Sequence, residues 1–224
     1  MKNQIKLYSM EFLTIVLGIS VSFWGENYRQ ERIINKEEKM VLLDLKEEIE
    51  SNIDYVKYQL KRIDIHLNKI TDYLDNYNNY SKDDFFENNL LVTTGWIPWT
   101  PSIHIYESLK SSGRIELINN KSIKNKLGYL FSFEIERTTG WAAISREDMN
   151  NFKFRLETTY YSDYAFNENY FNSEKAHDLT FKDQWTSNWF YGKKNVLKNQ
   201  KQASIDFDKL QKEILFLVNS ELDI

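Results

Sequence analysis

Apolar residues along this chain fall into three regimes. The stretch Leu7–Trp24, LYSMEFLTIVLGISVSFW, is nearly unbroken apolar sequence whose one charge is Glu11. From Asn27 to Asn76 there is neither Gly nor Pro. Here Ile49, Ile53, Val56, Leu60, Ile63, Leu67, Ile70 and Leu74 recur in alternating steps of four and three, which is the a/d pattern of a heptad seam. Leu42 and Leu45 carry the seam backwards through a four-residue stutter. Near the end of the chain Val196, Gln200, Ala203, Phe207, Leu210, Ile214 and Leu217 repeat the same spacing. No stretch keeps a period of two long enough to make a strand, so the pattern predicts an all-α chain.

Two heptad helices bracketing one chain meet either in an intermolecular coiled coil or inside one antiparallel bundle; the presence of further helices between them favours the bundle. The predicted organisation is an anchor over 1–26 and a bundle domain over 27–224. The bundle comprises a long helix over 27–76, a loop over 77–100, and helices over about 101–112, 121–160 and 193–222. Thr100 and Pro101 read as the cap and first residue of the second helix, and Gly113 as its C′ residue. Gly128 and Gly140 each weaken the third helix by ~1 kcal/mol relative to Ala, so a kink is expected there. The run Lys36-Glu-Glu-Lys39 and Lys46-Glu-Glu48 reads as a solvated face with charge pairs three and four apart.

Eighteen residues from Leu7 to Trp24 rise about 27 Å as a helix, close to the ~30 Å hydrocarbon core of a bilayer. Tyr8 lies at one edge and Phe23, Trp24 and Tyr28 at the other, as in an interfacial aromatic belt. A cleaved secretory signal is the competing reading, but no small-x-small site follows. The stretch therefore predicts a transmembrane anchor that continues directly into the long helix. Lys2 and Lys6 ahead of it form a short basic tail, which puts the bundle on the periplasmic side, although counting Arg29, Arg32, Lys36 and Lys39 pulls the other way. Glu11, Thr14, Gly18 and Ser22 share one face of the span. Small and polar residues at that spacing allow close helix packing or, through Glu11, ion coupling.

The segment Glu11-Phe-Leu-Thr-Ile-Val-Leu-Gly-Ile-Ser20, with Asn27–Arg32 behind it, resembles an uncharacterised family of small single-span bacterial membrane proteins. Tyr106-Glu-Ser-Leu-Lys-Ser-Ser-Gly-Arg-Ile-Glu-Leu-Ile118, running on to Lys121, is similar to that family's second segment. Together these cover about a quarter of the chain. The resemblance implies an inner-membrane, single-pass setting and a helical domain. It supplies no catalytic residues. Ser20 and Ser22 depart from the aliphatic residues usual in such spans.

Composition narrows the chemistry. The chain has 224 residues, 29 basic against 33 acidic, and no cysteine. Disulfides, thiolate metal sites and thiol catalysis are thereby excluded, and no global field attracts nucleic acid. Glycine-rich phosphate loops, serine nucleophile motifs and dinucleotide fingerprints are missing. Of the three histidines, His66 is expected to flank the seam, His104 to sit in a first helical turn, and His177 to complete Glu174-Lys-Ala-His177. That last spacing occurs in di-metal bundles, but a bundle of that kind needs a second copy. No cofactor or metal is expected. Trp141, Trp185 and Trp189 are expected in the core. Trp96 and Trp99, in the Pro-containing loop, form a possible interaction patch.

These readings converge on a membrane-anchored, non-enzymatic assembly, scaffold or sensory module of the bacterial envelope, partnered by the bilayer and by itself or another membrane protein. The alternative is a subunit of an ion- or proton-coupled oligomer that uses Glu11.

Overall fold

The computed structural model of the protein describes residues 2–81, 84, 90–159 and 182–223, with side chains from Met10 onward. One helix dominates: α1 runs without a break from Lys2 to Asp75, about 110 Å at 1.5 Å per residue. A 3₁₀ turn follows at Leu90–Thr94, then α2 (His104–Ser111), a 3₁₀ turn at Arg114–Leu117, and α3 (Lys121–Tyr129). A π turn at Leu130–Glu134 joins α3 to α4 (Ile135–Thr159), and α5 (Gln184–Leu222) closes the chain. Among the described residues there is no strand, so the all-α expectation stands.

The two long helices pair antiparallel within one chain. Asp64 of α1 is 2.6 Å from Lys201 of α5, and the Tyr73 and Phe190 rings are 4.9 Å apart. The heptads therefore close on each other inside the bundle. Their register differs from the sequence reading in one respect. Ile49, Val56, Ile63 and Ile70 are fully buried, but the alternate layer is Asn52, Gln59, His66 and Tyr73, while Ile53, Leu60 and Leu67 are only half buried. On α5 the buried line runs through Lys193, Leu197, Gln200, Ser204, Phe207, Gln211, Ile214 and Val218. Leu197, Gln211 and Val218 thus replace the expected Val196, Leu210 and Leu217. Hydrophobic spacing alone selected the more apolar neighbour at Ile53, Leu60, Leu67 and Leu210, where the fold buries the polar one; at 196/197 and 217/218 it buries the other of two apolar neighbours.

For Asn52 and Gln200 the reason lies in the segment that crosses between α1 and α5. Residues 97–103 form no helix, so their backbone groups need partners from side chains. Asn52 supplies two: its amide donates to Ser102 O (2.8 Å) and its Oδ1 accepts from Ser102 N (2.7 Å). The Tyr55 hydroxyl donates to Pro98 O (3.2 Å) and accepts from Thr100 N (2.7 Å). Gln200 donates to Ile97 O (3.1 Å) from the other side. Glu48 does most: it accepts from Ser102 Oγ (2.8 Å), Ile105 N (2.9 Å) and Tyr106 N (3.0 Å). Its carboxylate caps α2 from another helix, where negative charge is favoured. Glu48 is accordingly buried rather than solvated. The expected Thr100/Pro101 start is displaced too, since α2 begins at His104 with Ile103 at the cap and no side-chain cap of its own.

Other boundaries are close to expectation. Gly113 ends α2 with φ +72°, the left-handed conformation that favours glycine. Asn120 caps α3 by accepting from Ser122 N and Ile123 N. The weak point foreseen near Gly128 takes the form of the π turn, where the Ser132 hydroxyl donates to the freed Gly128 carbonyl. The last helix starts nine residues earlier than its periodicity indicated, because Asp183 accepts from Trp185 N at its N-terminus. Residues 160–181, between α4 and α5, lie outside the described residues.

The transmembrane part of the expected fold is not supported. Among the described residues no helix is long and apolar enough to cross a membrane. The described apolar run is Phe12–Trp24, thirteen residues diluted by Thr14, Gly18, Ser20 and Ser22 and bounded by Glu11 and Gly25-Glu26-Asn27. It rises only about 20 Å.

If Glu48 organises the crossing segment, Glu48→Ala removes three hydrogen bonds to a buried charge and uncaps α2. The expected loss is about 2–4 kcal/mol in urea unfolding, against about 1–2 kcal/mol for Asn52→Ala. A Glu48→Ala variant as stable as the parent would show that the segment holds itself.

Candidate functional site

Three places in the molecule carry features that packing alone does not require. The first is the N-terminal part of α1. Every described residue from Met10 to Glu37 is exposed, so about 42 Å of helix stands clear of the bundle. The first tether is Glu38, whose carboxylate accepts from Asn119 N and Asn119 Nδ2, both at 2.7 Å. The first buried side chain is Val41. Phe12, Leu13, Ile15, Leu17, Ile19, Val21, Phe23 and Trp24 are each more than half exposed. At 100° per residue these positions spread over about two thirds of the helix circumference, wider than a single stripe, and leave the Glu11, Thr14, Gly18 and Ser22 side between them. Trp24 stacks on Tyr28 with centroids 6.2 Å apart, and Arg32 lies over the Tyr28 ring.

Glu11, Thr14, Gly18 and Ser22 do lie along one side of this helix, but none of the described residues packs there; a side chain at Gly18 would meet no described atom within 4 Å. The Thr14, Ser20 and Ser22 hydroxyls donate to the carbonyls of Met10, Val16 and Gly18. Their polarity is thus satisfied within the helix. Glu11 is the only ionisable side chain between Met10 and Gly25.

The second place is the tryptophan loop. Its two indoles part company. Trp99 is 4% exposed and belongs to the core, edge-on to Tyr55 (5.7 Å) and Phe207 (5.4 Å). Trp96 is half buried at the surface, with the Arg146 guanidinium of α4 5.4 Å from its ring centre. Trp185 and Trp189 pack against the core as expected, whereas Trp141 is only half buried and lies outside both core clusters. The patch foreseen over both loop residues therefore reduces, on its exposed side, to Trp96.

The third place was not foreseen. Where α1, α4 and α5 meet, Lys193 is 1% exposed and donates from Nζ to Ser145 O (2.9 Å) and Ser145 Oγ (2.8 Å). Its ammonium also lies 5.8 Å from the Trp189 ring centre. Burial pulls the Lys193 ammonium down to about 8, opposed by the nearby Asp148 carboxylate. Burial likewise raises Asp148, which Lys193 in part offsets. His66, expected beside the seam, is instead buried within it. Burial first, then Lys193, Arg62 and Lys69, hold it down at about 4. A serine beside a lysine of lowered pKa has the residue types of a nucleophile and its base. Ser145 has no exposed surface, however, so no substrate reaches it. The pair anchors α5 to α4. A lysine in a heptad core position was the one signal in the sequence, and it was hidden because the Val196 frame places Lys193 in line with Gln200 as an ordinary polar break.

His104 stands exposed at the start of α2. Among the described residues no three His, Asp or Glu side chains group so as to hold a metal ion. Glu174 and His177 lie outside the described residues.

The buried cluster sets a pH dependence of stability. A neutral His66 with a folded pKa near 4 means that the unfolded chain takes up a proton first as pH falls below 6.5. Stability therefore declines from pH 6.5 to about 4, by of order 3 kcal/mol in full. Lys193, at about 8 in the fold and about 10.4 unfolded, makes stability rise again between those two values, by a similar amount. His66→Leu should flatten the acid limb and Lys193→Met the alkaline one, in urea titrations repeated across pH; slopes unchanged by either substitution would place the proton uptake elsewhere. Compared with protein-family models, with curated proteins and with solved structures, the chain matches none, so its function rests on its own residues.

Proposed function

We propose that this protein is a non-enzymatic helical module, acting in assembly, scaffolding or sensing at the bacterial envelope, and that its N-terminal helix lodges in a lipid bilayer. The observation that carries this reading is the helix standing free of the bundle with apolar side chains over about two thirds of its circumference. A partner helix would cover one stripe; so broad an apolar arc suits lipid. Eight large apolar side chains leaving water contribute roughly 10–20 kcal/mol, against about 3 kcal/mol for bringing Glu11 in with them. Hydroxyls already bonded to their own helix add little to that cost. The Trp24–Tyr28 stack, followed by Arg29 and Arg32, suits the headgroup level.

In this reading the short basic tail leaves the bundle on the periplasmic side of the inner membrane. The mechanism is mechanical. Because α1 passes unbroken from the lipid-seeking segment into the seam with α5, tilt or rotation of its N-terminal part is delivered directly to the bundle. The second reading, an oligomer coupled to ions through Glu11, draws on one feature: with Thr14 and Ser22 bonded inward, Glu11 is the side chain on that face left to act across a helix seam.

Flotation of the full-length protein with phosphatidylcholine vesicles tests the first reading. The parent should float, and Ile15→Asp/Leu17→Asp should stay in the dense fraction with an unchanged thermal melt, since both positions lie far from the core. A parent that fails to float refutes lipid anchoring. Protection of the amino terminus from added protease then distinguishes spanning from shallow insertion. Native mass in mild detergent, compared between parent and Glu11→Gln, decides the second reading; a monomer in both cases removes it.

A further inference from the structure

Between the tryptophan loop and α4 lies a cleft of about 340 Å³ lined by Trp96, Trp99, Thr139, Ala142, Ala143, Arg146, Glu147 and Asn150. Its origin is a mismatch of side-chain size. Thr139, Ala143, Arg146 and Asn150 follow one another at helical spacing along one face of α4. Where the loop presents indoles, this face presents two alanines, so the space between them is left open. The volume is at the lower end of the range for small-molecule sites, and the wall is mainly apolar with a few polar groups at its mouth.

Three further observations concern what would enter. Arg146 has a ring beside it but, among the described residues, no carboxylate within ion-pair distance. Three other cations of α3 and α4 are paired: Lys126 with Glu213, Arg137 with Glu134 and Asp206, and Arg155 with Asp183. An unpaired guanidinium held beside an aromatic face is prepared for a planar anion, which it grips through two parallel N–H groups. Glu147, next to it on the rim, opposes a doubly charged group and so favours a single negative charge. Trp99, which forms part of the wall, keeps a buried indole N–H without an acceptor.

We propose that this cleft binds a small planar monocarboxylate, an aromatic or heteroaromatic acid, with its ring between Trp96 and the alanine floor and its carboxylate on Arg146. The ligand would bridge the loop to α4 and so tie the crossing segment to the half of the bundle that Glu48, Asn52 and Tyr55 do not reach. The site is independent of the lipid-seeking helix, and its failure would leave that reading intact.

The probe is 2-naphthoate, with 2-naphthamide as its uncharged counterpart, added to full-length protein and followed by isothermal titration and saturation-transfer NMR. Saturable binding of the acid is expected, about 10-fold tighter than that of the amide, the difference a charge-assisted pair contributes. Arg146→Gln should erase the preference for the acid. Ala143→Leu, at an exposed position that does not support the core, should fill the cleft and abolish binding of both compounds while the thermal melt is retained. Absence of saturable binding at millimolar concentration overturns the proposal. So does binding that survives Ala143→Leu, which would assign it to another apolar surface such as the N-terminal helix.

Discussion

The antiparallel seam between α1 and α5 is the interaction on which the rest of the molecule depends. Neither helix buries enough surface alone; paired, they enclose Leu45, Ile49, Val56, Ile63 and Ile70 against Leu197, Phe207, Ile214 and Val218. Apolar layers supply the stabilisation, at roughly 1.5–3 kcal/mol for each large side chain removed from water. The polar layers between them give up some of that gain. What they provide instead is a set of fixed hydrogen-bonding groups deep in the bundle, and through these the seam holds an otherwise structureless segment in one conformation. Asn52, Gln200 and Glu48 have partners on the 97–106 stretch, and none of them would reach it from a solvent-facing position.

That arrangement explains which parts of the fold the sequence disclosed. Helix against strand and the long first helix follow from spacing and from the lack of Gly and Pro, and the further helices between the two heptad runs pointed to intramolecular pairing; all of these are visible in a line of letters. Gly113 was legible because it acts on its own neighbours. The register of the seam was not, since Ile53 and Asn52 are adjacent and hydrophobicity ranks them in the wrong order. Burying Asn52 becomes favourable only once Ser102, fifty residues away, offers both its amide and its carbonyl. Glu48 was misplaced for the same reason: a carboxylate in a charged run is solvated unless a distant helix end claims it.

The candidate sites divide along the same line. The exposed apolar helix could be read from composition because it has no tertiary partners to alter its character. Trp96 and Trp99 could be recognised as unusual, being two indoles beside two prolines, but not told apart. Their separation into a surface residue and a core residue is decided by Tyr55 and Phe207, which receive the second ring. The Lys193, Ser145, His66 and Asp148 cluster left almost no trace. Its members come from three helices, and each looks unremarkable beside its sequence neighbours.

These features place different demands on one helix. The N-terminal part of α1 exposes its apolar side chains, while the part beyond Val41 packs against α5, and no hinge residue separates them. Gly25, the one helix-weakening residue in between, has no neighbour within 4 Å and sits in regular helix. A force on the apolar end therefore has no joint in which to dissipate before it meets the seam. There it first reaches Val41 to Ile49, the stretch that contains Glu48. Sliding α1 by even one residue, about 1.5 Å, would take the Glu48 carboxylate out of hydrogen-bonding range of Ile105 N and Tyr106 N. The buried polar layers thus make the seam sensitive to register in a way that an all-leucine interface would not be, because an apolar contact weakens gradually while a buried hydrogen bond is either made or lost.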